Sequence, residues 1–210
     1  MPTVEEAKNW YPLNDPVHGF NHILRVYRMA EQLAVAEGAD LEIVRAAALL
    51  HDAEGPGTGD TRLEHQHASA SFARKILAAE GWSEGKISAV QHCIRSHRFR
   101  EQSEQPDTIE AEVLYDADKL DAIGAIGAVR AIAYAVLAEQ DLYAEPSELF
   151  LNTGEKEPCE SHTPYHEYLF KLRKLKDRIY TRTGRAIAES RHKYLEGFFI
   201  QLIAEIKGDK

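Results

Sequence analysis

Cysteine is scarce in this chain of 210 residues. Cys93 and Cys159 are far apart and neither belongs to a CxxC pair, so no disulfide framework organises the fold. The N-terminus lacks the basic and then apolar pattern of a secretory signal, and together these absences describe a reduced, cytoplasmic protein. Long apolar runs are also missing. The longest, AIGAIGAVRAIAYAVLA from Ala122 to Ala138, is interrupted by Arg130 and falls short of the roughly 18 uninterrupted residues that suggest a membrane span. It reads as a buried helix in which Gly124 and Gly127 permit close packing. Positive charge is in short supply, with 25 Lys and Arg against 34 Asp and Glu, a net charge of −9 and a pI near 5.6. That balance supplies no broad attraction for nucleic acid or an anionic membrane. It leaves room for a small phosphorylated ligand, because a metal can provide positive charge locally. Strand-like alternation, internal repeats and low-complexity tracts are absent as well.

What remains is helical periodicity and enough apolar material to bury it. With 44% hydrophobic residues the chain can build a sizeable core, and one domain over residues 1–210 is expected. Its core spans about 15–140, with C-terminal helices over about 165–207 packing on it. Val26, Met29, Ala30 and Leu33 share a face of a helix from Asn21 to Glu37, and Gly38 is its stop. Leu41–Asp52 and Leu63–Glu80 follow, ended by GPGTGD and by Gly81. A fourth helix begins at Ser83, with Ile87, Val90 and Ile94 on an inner stripe that runs on to His97 and leaves His92 to the side. Thr108–Leu120 and Gly124–Glu139 are the fifth and sixth. Pro146, Pro158 and Pro164 mark Asp141–Pro164 as a long loop or lid. Amphipathic helices at about Tyr165–Tyr180 and Arg185–Lys207 close the chain. The fold class is all-α, a helical bundle with additional C-terminal helices.

Onto this frame fall four side chains with an affinity for cations. His51 and Asp52 end the second helix, His22 opens the first, and Asp118 lies near the end of the fifth. Two imidazoles and two carboxylates suit a divalent ion such as Mn²⁺, Fe²⁺ or Mg²⁺ better than a structural zinc. An octahedral ion held by four protein atoms keeps two positions for a water and a phosphate oxygen, as metal-assisted phosphoester hydrolysis requires. Helical spacing puts Leu114, Asp118 and Asp121 on one face and Asp116 with Val113 and Leu120, so Asp121 competes with Asp118 as the ligand.

The ordered set HGFNHILRV, LLHDAEG and DADKLDAIGAIG resembles the HD-domain superfamily of metal-dependent phosphohydrolases. The C-terminal pattern KLRKLKDRIYTRTGRAIAESRHKYLEGFF resembles a bacterial and archaeal subfamily of small standalone members, and the likeness covers nearly the whole chain. The resemblance implies an HD-like helical fold and the metal ligands His22, His51, Asp52 and Asp118, with Asp121 holding a neighbouring side chain in place. The neighbour expected on Asp121 is a His or Lys. The resemblance also implies one divalent ion, Mn²⁺ first, and cleavage of a nucleoside triphosphate between its α and β phosphates.

Other residues are read from their positions. Glu54, two residues past Asp52 in a glycine-rich bend, is the candidate proton acceptor beside Asp52 in the catalytic pair, and otherwise a solvated loop residue. His18 lies one turn before His22 and either touches phosphate or is solvated. His97 on the inner stripe either contacts phosphate or the leaving group, or is a hydrogen-bonded core histidine. Arg25 and Lys119 flank ligands and are candidates to neutralise phosphate charge, although Lys119 is rotated about 100° from Asp118. His65 and His67 could hold a second ion but read as exposed, and His92 reads as surface. Two other functions compete with the phosphohydrolase. A ferritin-like di-iron protein would need Glu64 with His67 and Glu189 with His192 to converge in a core, and a non-catalytic binding module would keep the metal without turnover.

Overall fold

The structure, a computed structural model, describes residues 1–12, 15, 19–54, 65–98 and 104–209. Among these it contains ten α-helices and no strand, so the all-α expectation holds. The chain divides into two compact units, Met1–Asp118 with Tyr180–Gly184, and Lys119–Ile179 with Arg185–Lys210.

In the first unit, α1 (Val4–Ala7) is fastened by a capping box between Thr3 and Glu6. Next come α2 (Phe20–Glu37), stopped by Gly38 at φ 74, and α3 (Leu41–Leu50), whose N-cap Asp40 accepts from the amides of Glu42 and Ile43. The helix α3 is the centre of this unit. Val44, Ala46, Ala47, Ala48, Leu49 and Leu50 are all fully buried, and α1, α2, α4 (His65–Ala79) and α5 (Glu84–Ser96) pack around it. A helix apolar on all sides has no solvent face and is enclosed by its neighbours. The last element that begins here, α6 (Ile109–Asp121), is also buried almost throughout, including Val113, Leu114, Tyr115 and Ala117.

Asp116 is fully buried on α6 and accepts from the amides of Tyr180 and Thr181 at 2.9 and 2.7 Å and from the Thr181 hydroxyl at 2.7 Å. Burial pushes its carboxyl up from the ordinary value, with these hydrogen bonds opposing. They tie the returning segment 180–184 to α6 two residues before Asp118.

The second unit holds α7 (Gly124–Leu137), α8 (Glu148–Thr153), α9 (Pro164–Phe170), a 3₁₀ segment over Leu172–Arg178 and most of α10 (Arg182–Lys207). Arg130, which breaks the apolar run of α7, donates to the Asp121 carboxylate at 2.8 Å. A charge that looks misplaced in the sequence is thus paired. The helix α7, expected to be buried, instead buries only Gly124, Gly127, Ala128 and Ala135 and exposes Val129, Val136 and Leu137. Three further features depart from the sequence reading. The stretch expected as a loop contains α8, because Ser147 caps the amide of Phe150 and Phe150 buries its ring. The helix expected over Tyr165–Tyr180 breaks at Lys171, and beyond it 3₁₀ winding turns Leu172 and Leu175 inward. The final helix begins at Arg182 instead of Arg185.

Gly127 has a packing requirement of its own, since a Cβ built there would lie 2.3 Å from the Ala122 carbonyl oxygen. Gly127→Ala is expected to destabilise the protein by about 1–3 kcal/mol despite the better helix propensity of alanine. A fall in Tm measured by calorimetry checks this.

Candidate metal centre

Two helices end in histidine in the same way. His51 is the C-cap of α3 and its Nδ1 lies 2.9 Å from the Ala48 carbonyl, while His97 is the C-cap of α5 and its Nδ1 meets the Ile94 carbonyl. In each case the ring satisfies one of the carbonyls that a helix end leaves over. A carbonyl only accepts, so each ring carries a proton on Nδ1, and the His51 Nε2 is left as a bare lone pair. Both rings are buried. Burial pushes the His51 pKa down to about 4 against the opposing pull of Asp52, so its imidazole is neutral and able to coordinate.

The Nε2 atoms of both rings face Asp52. His51 Nε2 is 3.8 Å from Asp52 Oδ2, and His97 Nε2 and His65 Nε2 are 3.5 and 3.1 Å from Asp52 Oδ1. His22 stands with its ring centre 5.6 Å from that of His51, and its Nε2 is 3.4 Å from Asp118 Oδ1. Burial pushes the Asp52 carboxyl up, yet His51, His65 and His97 outweigh it and hold the group well below the usual carboxylate range. His51 Nε2 is buried with no hydrogen-bond partner. A neutral nitrogen left bare beside partly buried carboxylates is what a cation would satisfy, and the donor set of imidazole and carboxylate fits a divalent ion. His22, His51 and Asp52 offer ligand atoms all within 4.8 Å of one another, and so do Asp52, His65 and His97. Asp52 belongs to both groups.

The turn is held in place from both sides. The buried Tyr11 hydroxyl donates to the Leu49 carbonyl at 2.8 Å, fixing the end of α3, and the Glu54 amide donates to the Ser69 hydroxyl at 3.3 Å. Gly19 starts α2 three residues before His22, with its amide on the Asp15 carbonyl at 3.0 Å.

The structure therefore brings His22, His51, Asp52, Asp118 and His97 together in the first unit. Asp121 is bound by Arg130, as described above, which leaves Asp118 as the carboxylate of α6 that faces His22. Glu54 is exposed at the turn and Arg25 is half-buried on α2, while Lys119 is half-buried and belongs to the second unit. His18 lies outside the described residues, as does Glu64. Two readings of exposure change. His65 is buried against Asp52, while His67 is exposed as expected. His92 is largely covered, between Glu104 and Asp107. His65 was legible in principle, since it shares a face with the buried Ser69, Ala73 and Leu77 at four-residue steps. Glu189 is exposed and paired with Lys176 at 3.2 Å, which removes it from a di-iron core.

Helices closed around a buried histidine and aspartate centre define the class of metal-site helical domains. The HD domain family matches residues 19–123, half of the chain, and the protein belongs to that family. Bacillus subtilis YpgQ, described as an uncharacterised protein, is 32% identical over 194 residues, covering 91% of this chain and 85% of that one. The crystal structure of YpgQ in complex with ADP superposes with a TM-score of 0.75 over 99% of this chain and 100% of that chain at 32% identity. An HD-superfamily hydrolase from Bacillus thuringiensis is similar at 28% identity, with a TM-score of 0.72 over 97% of this chain and 94% of that chain.

Tyr11→Phe is expected to cost about 1 kcal/mol of stability, the usual net value of one hydrogen bond. A lower midpoint in urea unfolding, with unchanged slope, checks it.

Proposed function

We propose that the protein is a metal-dependent phosphohydrolase of nucleotides. Its reaction is hydrolysis of a nucleoside triphosphate between the α and β phosphates, in which water and triphosphate give monophosphate, pyrophosphate and a proton. The observation that carries the reading is the buried, unpartnered Nε2 of His51 beside Asp52, with His22 and Asp118 alongside. The ADP held by YpgQ supports a nucleotide as the substrate class. The shortage of positive charge suits a small ligand better than nucleic acid or a membrane surface. No single described helix is long and apolar enough to cross a membrane, and free Cys93 and Cys159 suit a reduced cytoplasmic setting.

In this reading His22, His51, Asp52 and Asp118 hold one divalent ion, Mn²⁺ being the first candidate. The chemistry such an ion supplies is polarisation of a phosphoryl oxygen and acidification of a water. His97, with its Nε2 3.5 Å from Asp52 Oδ1, is placed to contact the phosphate or the leaving group. Glu54, at the exposed turn beyond Asp52, takes the proton. Arg25, three residues beyond His22 on α2, is placed to offset phosphate charge. The binding-module alternative is separated from this one by turnover.

The test is a panel of nucleoside mono-, di- and triphosphates with Mn²⁺, in which phosphate and pyrophosphate are detected separately. Pyrophosphate from triphosphates is the expected product, and metal binding without turnover of any compound would sink the proposal. Asp52→Ala is expected to lose bound Mn²⁺ and hydrolysis together, and metal retained at the wild-type level would reject the ligand assignment. Glu54→Gln is expected to keep the metal while kcat falls by about 10²-fold or more. Undiminished turnover would remove Glu54 from the proton transfer.

A further inference from the structure

The second group of ligand atoms, from Asp52, His65 and His97, has the donors for a cation of its own. A permanent positive charge already stands beside it. Arg98 follows His97 in the chain, and its Nη1 lies 2.8 Å from His65 Nδ1 and 3.3 Å from His65 Nε2. Such similar distances to both ring nitrogens put the guanidinium over the imidazole rather than at the tip of one lone pair. A guanidinium keeps its positive charge inside a protein.

We propose that Arg98 serves as the second cation of this centre and restricts it to one divalent ion, an inference that rests on the metal-centre reading above. An ion held on His65 Nε2 at roughly 2.1 Å would lie within about 5.5 Å of the Arg98 nitrogen. Like charges at that range repel, and buried surroundings screen them poorly. The two groups also differ in the charge they offer. His22, His51 and Asp52 are joined by Asp118, so two carboxylates face one ion there. At the other group Asp52 is the carboxylate among the described residues, and the Arg98 guanidinium offsets it. The first position therefore takes the dication, and the second is occupied electrostatically by a side chain. Arg98 acts here through charge, so lysine should substitute for it and a neutral residue of similar length should not.

The experiment counts Mn²⁺ per chain by equilibrium dialysis with elemental analysis, and records electron paramagnetic resonance spectra for exchange-coupled ion pairs. Wild-type protein and Arg98→Lys are expected to bind one ion with an uncoupled spectrum. Arg98→Met is expected to bind two and show a coupled pair, and Arg98→Gln provides a second neutral variant should the first not fold. Wild-type protein that binds two ions, a folded neutral variant that still binds one, or Arg98→Lys that binds two overturns the role of Arg98 alone. Wild-type protein that binds none overturns the metal-centre reading as well.

Discussion

A carboxylate taken out of water must be compensated where it is buried, and the first unit is organised around meeting that demand for Asp52. Imidazoles from α3, α4 and α5 approach its two oxygens, and a fourth, His22 on α2, stands against His51. None of these groups would be stable in the interior alone. A lone buried imidazole lacks partners and a lone buried carboxylate keeps its full desolvation cost. Assembled, they offset one another and leave the nitrogen of His51 free for an ion. The apolar helix α3 is what makes the arrangement reproducible, because its enclosure by neighbours fixes the position at which His51 and Asp52 leave it.

The duplicated helix ending is the chemical counterpart of that packing. At His51 and at His97 the backbone carbonyl three residues earlier chooses which ring nitrogen holds the proton. Tautomer choice in metal sites is commonly made by a separate carboxylate or carbonyl placed behind the ring. Here the helix that carries the histidine supplies the group itself. Ligand orientation and helix termination are then the same event, and neither depends on a distant partner.

The features most legible in the sequence were those set by local chemistry. Ser83 and Gly38 mark helix ends by capping, and the structure uses both as such. The order of His22, His51 with Asp52, and Asp118 pointed to one centre because the periodicity around each committed its helix to the interior. What could not be read depended on tertiary neighbours. Phe150 anchors α8 only once its pocket exists, and Asp121 is separated from Asp118 only by the Arg130 that binds it. A cation at a helix C-terminus, as Arg98 is, is ordinarily explained by the dipole. Its meaning came from His65, whose burial follows from α4 packing against α5.

The grip of Asp116 on Tyr180 and Thr181 joins residues 64 and 65 positions apart. In a chain made from its N-terminus, every residue of the metal centre leaves the ribosome before these partners exist. Until the segment arrives, Asp116 lacks these donors, and the helix that carries Asp118 is held by fewer bonds. Completion of the centre is therefore a late event in biogenesis. A nascent chain carries the ligands for some time before it carries the segment that Asp116 grips.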